Sequence, residues 1–176
     1  MYDGDIIDAH HHLWDLASGW YSWLATDRPD EMVFGDPEPL ARDYLIPDYL
    51  VDWDGLSLVK SVHITAAHAG VDATAETRWL QDLAGTHGFP HGIVAGAALE
   101  QPDAEETLAA QAAFDNVRGI RQIVSWHENP RFNFSERADV MADTSWRKGF
   151  AQLVKYGLSF DLMLFPTQLP DALNLA

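Results

Sequence analysis

Three consecutive imidazoles, His10, His11 and His12, follow the run Asp5-Ile6-Ile7-Asp8-Ala9 near the start of the 176-residue chain. On a β-strand side chains alternate, so His10 and His12 share a face with Ile6 and Asp8, and Ile7, Ala9, His11 and Leu13 share the other, suited to packing against helices. Two imidazoles at i and i+2 on a strand can hold one divalent ion, with nitrogens ~2.0–2.1 Å from zinc. The competing reading is a His run that hydrogen-bonds to loop backbone. Two later apolar runs carry further candidates. Leu58 to Thr65 puts Ser61, His63 and Thr65 on one polar face, so His63 is either a substrate contact or a hydrogen-bonded core histidine. Val117 to His127 puts Arg121, Ser125 and His127 on one face, with Arg121 and His127 as substrate contacts. An arginine in an apolar strand is costly unless it is paired or reaches an anionic ligand. Its guanidinium suits bidentate capture of a carboxylate; the alternative is a buried ion pair with Asp161. Gly119 allows a neighbour to approach closely. His68, His87 and His91 fall in loop or helix-end contexts and read as solvated.

The elements that must position these groups alternate. Five runs read as strands: Asp5 to His10, Leu58 to Ile64, Gly92 to Leu99, Val117 to Val124, and Leu158 to Leu164. Helical patterns separate them. Thr74 is a candidate N-cap for a helix carrying Trp79, Leu80 and Leu83, and Asp103-Ala104-Glu105-Glu106 is a capping-box pattern for a helix running through Phe114. Ser145 to Tyr156 places Trp146, Phe150, Leu153 and Val154 on one stripe, and Gly157 suits the C-terminal cap. Thr167 reads as the N-cap of a last helix, with Leu169, Leu173 and Ala176 on its apolar side. Buried strands alternating with helices make an α/β fold with a parallel sheet. In such folds sites form at the C-terminal ends of strands, where His10 and His12 fall, and the polar face of the second strand would line the mouth of a barrel. The segment Leu13 to Gly55 is a long loop after the first strand, with one short helix near Pro47 to Asp52. Its aromatics Trp14, Trp20, Tyr21, Trp23 and Trp53 either form a functional flap or merely cover the core.

About five βα units occupy this chain, whereas a (β/α)8 TIM barrel typically needs ~250 residues. The expected architecture is therefore a partial TIM barrel, residues 1–176 forming a single incomplete domain; an open five-stranded sheet is the alternative. The open edges of such a half-barrel predict association between copies.

With 27 acidic and 11 basic residues the net charge is −16, which argues against nucleic acid or an anionic membrane as partner. No apolar run approaches the ~20 residues of a membrane span. The absence of Cys removes disulfides, thiolate nucleophiles and Cys-based zinc sites, and a reducing, cytoplasmic setting is the expectation. There is no phosphate-binding Gly-rich loop, no dinucleotide fingerprint and no nucleophile elbow. No strand-end carboxylate pair suits glycosidase work.

The segment Ile6-Ile7-Asp8-Ala9-His10-His11-His12-Leu13-Trp14 resembles the opening motif of the amidohydrolase superfamily, and more narrowly the amidohydrolase-2 group of metal-dependent TIM-barrel hydrolases. The likeness continues through Glu76-Thr77-Arg78-Trp79-Leu80, Val117-Arg118-Gly119-Ile120-Arg121, and Gly157-Leu158-Ser159-Phe160-Asp161-Leu162 with Gln168-Leu169-Pro170. Within the group the resemblance is nearest to the lactonases of sugar lactones and pyrone dicarboxylates. It implies that His10 and His12 are the metal-binding and catalytic pair and that Arg121 grips a substrate carboxylate or hydroxyl. The implied reaction is hydrolysis of a cyclic ester by activated water, on a small carboxylated or sugar-acid substrate. Zinc is the implied cofactor, although some lactonases of this branch are thought to work without metal. A later-strand His and a last-strand Asp of the family pattern would fall beyond Ala176, so the chain by itself is expected to be inactive. Non-oxidative decarboxylation by the same metal site is the alternative chemistry; a non-catalytic module is the alternative if 176 residues are the whole product.

Overall fold

The computed structural model describes residues 2–25, 32 and 34–175. Its five strands, β1 (Asp5–His11), β2 (Ser57–Ile64), β3 (Gly92–Gly96), β4 (Val117–Ile123) and β5 (Ser159–Met163), pair in parallel in chain order. Parallel neighbours cannot be joined by hairpins. The crossovers contain α1 (Ile46–Asp52), α2 (Ala75–His87), α3 (Ala104–Ala112) and α4 (Thr144–Tyr156), and α5 (Leu169–Leu173) follows β5. The result is an α/β half-barrel.

The core forms where helices cover the sheet. Leu80 of α2, Leu108 of α3 and Trp146 and Leu153 of α4 meet Ile93, Ala95, Ile120 and Val124, all buried. Gly149 sets how closely α4 approaches, because a Cβ there would collide with the carbonyl oxygen of Leu99. Gly119 likewise leaves room for Ser159 on β5, as its place in an apolar strand suggested.

Several local expectations need correction. Val154 is 85% exposed, so the buried stripe of α4 is Trp146, Gly149 and Leu153. Asp103 and Thr74 occupy N-cap positions without side-chain capping bonds; the Thr74 hydroxyl donates to Asp72 instead. The effective cap is Asp143, whose carboxylate accepts from the backbone N–H groups of Ser145 (2.8 Å) and Trp146 (3.1 Å). Thr167 lies in a 3-10 turn, Pro166–Gln168, and Gln168 occupies the N-cap position of α5 without a side-chain capping bond; Ala176 lies outside the described residues. β3 ends at Gly96, where its pairing with Arg121 ends.

The long loop after β1 is clasped at its base. Trp14 and Tyr44 exchange both backbone hydrogen bonds at 3.0 Å. Inside the clasp, Trp14, Tyr21 and Leu24 pack with Ala66 at the end of β2, and Trp23 Nε1 donates to the Ala66 carbonyl. These aromatics form a small second core over the strand ends. Among the described residues no helix is long and apolar enough to cross a membrane.

Candidate active site

His10 and His12 converge beyond the C-terminal half of β1, their Nε2 atoms 3.2 Å apart. The carbonyl of Ile64 can only accept, so His12 Nδ1, 2.7 Å away, donates to it. That bond assigns the hydrogen to Nδ1 and leaves Nε2 with its lone pair facing His10. Burial pushes the His12 pKa down to about 4, only partly opposed by the bond to Ile64. The ring is therefore neutral at pH 7, as a metal ligand must be. Two nitrogens each ~2.0–2.1 Å from one ion at a near-tetrahedral angle stand roughly 3.3 Å apart, close to the spacing seen. A ligating imidazole also characteristically donates its other N–H to a carbonyl. The donor set thus fits a divalent ion. It supplies two of the three protein ligands that catalytic zinc usually takes; no cluster of three or more candidate ligands occurs among the described residues.

His11 points away from this pair. Its ring stacks on Tyr49 of α1 with centroids 4.2 Å apart, and Nε2 lies 3.0 Å from Ser61 Oγ. The alternation along β1 is not regular. Register shifts fall between Ile6 and Ile7 and between Asp8 and His11, and such bulges re-aim side chains. Asp8 therefore accepts from the Tyr49 hydroxyl at 2.8 Å, meeting the ring that stacks on His11. Ile7, expected to pack against helices, is 61% exposed, because β1 is a sheet edge and the core helices cover the strands beyond it.

The polar face of β2 also turns to the helix side rather than to a barrel mouth. His63 is 0% exposed and pairs in register with the core residue Ile93. Its Nε2 accepts from the backbone N–H of Leu13 at 2.9 Å, and burial holds the ring neutral. Its Nδ1 is buried without a hydrogen-bond partner among the described residues. His127 lies beyond the end of β4. Its Nδ1 accepts from the Asn129 N–H at 2.9 Å and its ring meets Phe132 and Phe165 edge-on.

Arg121, within β4 and 8% exposed, borders a cavity of about 380 Å³ with Thr65, His68, Glu76, Gly96 and Phe134. It donates through Nη2 to the Thr65 carbonyl, and its buried Nε has no partner. Asp161 is its register neighbour on β5, but no carboxylate pairs with Arg121 among the described residues. The positive charge of Arg121 also bears on His12 and helps hold its pKa down. His68 is half-buried against Trp20 rather than solvated, whereas His87 and His91 are exposed as expected.

Glu76 had no assigned role in the sequence. It is 3% exposed and accepts from Thr65 Oγ1 (2.6 Å), the Ala66 N–H (3.1 Å) and the Tyr21 hydroxyl (3.1 Å). Burial raises its pKa, opposed by these donors and by Arg121. A signal was available: Glu76 shares the i, i+4, i+7 stripe with Leu80 and Leu83, which marks the buried face of α2.

Sequence comparison matches residues 7–176 to the amidohydrolase family profile. The chain belongs to the amidohydrolase family. This amidohydrolase chain is 40% identical over its whole length to the uncharacterized protein y4mH of Sinorhizobium fredii, covering 59% of that protein. It is 28% identical over 168 residues (94% of the chain) to the L-fucono-1,5-lactonase of Burkholderia multivorans, covering 49% of it. A crystal structure of an amidohydrolase from Burkholderia multivorans with bound zinc is similar with a TM-score of 0.68 and 26% identity. That match spans 94% of this chain and 51% of the other. The chain thus spans about half the length of most relatives it matches.

Proposed function

We propose that this amidohydrolase chain is the N-terminal portion of a single TIM-barrel domain that hydrolyses a lactone of a small carboxylated or sugar acid. The observation that carries this reading is the His10–His12 pair with His12 Nδ1 bonded to the Ile64 carbonyl. The lactonase name of one relative and the zinc bound to a structural neighbour support it.

A divalent ion such as zinc, which imidazole donors suit, would polarise an ester carbonyl and activate water when bound. His10 and His12 would hold it, and the Ile64 carbonyl fixes the orientation of the His12 ring. Arg121 borders the cavity, and its buried Nε–H lacks a partner among the described residues; there it would bind a substrate carboxylate. The loop aromatics packed over Ala66 limit the access of bulk water from that side.

The test is to assay the complete barrel protein, of which this chain is the N-terminal portion, with sugar-acid and dicarboxylate lactones, following acid release with a pH indicator beside a carbon dioxide assay. Acid release without carbon dioxide is expected. Carbon dioxide release without ester hydrolysis assigns decarboxylation instead, and neither signal leaves a non-catalytic module.

A further inference from the structure

Among the described residues no carboxylate contacts the buried charge of Arg121, and Thr65 links it to one at a distance. The Thr65 carbonyl accepts from Arg121 while its hydroxyl donates to Glu76 Oε2 at 2.6 Å. The two halves of one residue thus connect the first turn of α2 to β4. Burial alone would push Arg121 toward losing its proton; the negative charges of Glu76 first, and Asp161 second, oppose this. A directly paired carboxylate would occupy the fork of the guanidinium. A carboxylate held one residue away supplies compensating charge and leaves Nε free. The remaining oxygen of Glu76 takes Ala66 and Tyr21, so the same group also fastens the end of β2 and the loop after β1.

We propose that Glu76 is a positioning residue which acts through Thr65 to hold the Arg121 guanidinium in place at the cavity, its buried Nε–H left for an anionic ligand. The inference deepens the lactonase reading, since it rests on Arg121 as the carboxylate contact. Glu76 itself touches no substrate.

The experiment follows the Arg121 Nε–H resonance by nitrogen-15 NMR on the full chain, with malonate as the probe dicarboxylate. In the wild type, slow Nε–H exchange with water and a shift on adding malonate are expected. Glu76→Gln should accelerate that exchange about tenfold and weaken malonate binding by a similar factor, as loss of a charge-assisted contact implies. Thr65→Val, which removes the bridging hydroxyl and leaves the carboxylate, should reproduce both effects, whereas Thr65→Ser should restore them. If Glu76→Gln fails to fold, the two Thr65 variants carry the test. An Nε–H indifferent to Thr65→Val overturns the proposal, and so does an equal effect from Asp161→Asn, which would reduce the role of Glu76 to general charge. If the Nε–H responds to Glu76 but malonate does not bind, the positioning role stands and the carboxylate-binding assignment of Arg121 falls.

Discussion

The imidazole of His12 at the end of β1 is tied to the carbonyl of Ile64 at the end of β2, with Nδ1 and the oxygen 2.7 Å apart. Parallel pairing places these two strand ends side by side, and the bond makes the terminus of β2 the orienting partner of the candidate ligand that follows β1. Among the described residues His10 makes no such bond to a carbonyl; its Nε2 meets that of His12 and the rings pack edge-on.

Because His10 and His12 converge while His11 faces Tyr49, the three histidines should respond differently to alanine. His10→Ala and His12→Ala should each abolish most of the zinc bound by the full chain, measured by elemental analysis after dialysis. His11→Ala should keep the metal and lose about 1–3 kcal/mol of stability, from the bond to Ser61 and the stacked ring. Equal metal loss in all three variants would refute the division.

Arg121→Lys keeps the charge and loses the planar fork. Turnover of carboxylated lactones should fall at least about tenfold, a modest share of what a charge-assisted bidentate contact contributes. Neutral lactones should be almost unaffected. A parallel loss on both classes of substrate would mean that the bond to Thr65 matters only for the fold.

Asp143 links helix capping to pH. Its pKa is lowered by the N–H of Trp146, then by Arg137. A carboxylate with a depressed folded-state pKa contributes stability that is present above the unfolded value and is lost as pH falls through the folded one. Thermal unfolding should therefore show Asp143→Ala melting a few degrees lower than wild type at pH 7, by loss of the cap. The gap should narrow as pH falls below the ordinary carboxylate range and through the depressed folded-state pKa, where the carboxyl protonates in both states.

Gly149→Ala tests how tightly α4 is seated. The added methyl meets the Leu99 carbonyl, and overpacking of this kind costs about 1–3 kcal/mol. Ala is intrinsically the better helix former, so a net stabilisation in denaturant titration would show that the helix shifts freely.

Much of this architecture was legible in residue pattern. Five apolar runs separated by helical stripes specify the parallel sheet, and the i, i+2 spacing brings His10 and His12 together even though bulges interrupt β1. Arg121 was conspicuous as a charge in an apolar strand. Alternation alone could not say which side of β2 meets helices, so it left His63 open between a substrate contact and a hydrogen-bonded core histidine; its ring is fully buried. Glu76 was missed for the opposite reason. An acidic residue in a helix's first turn is ordinarily solvated, and only its alignment with Leu80 and Leu83 hinted that it faces inward. Thr65 could not have been singled out, because its two bonds join groups 11 and 56 residues away.

The two-way backbone bridge between Trp14 and Tyr44 has a bearing on how this lineage can diversify. A segment clasped at its neck can be lengthened, shortened or rewritten inside the clasp with only a small loop-entropy change. The spacing of His12 and the start of α1, both just outside the neck, would not alter. Descendants could thus exchange the interior of this segment and meet new molecules while inheriting an undisturbed imidazole pair.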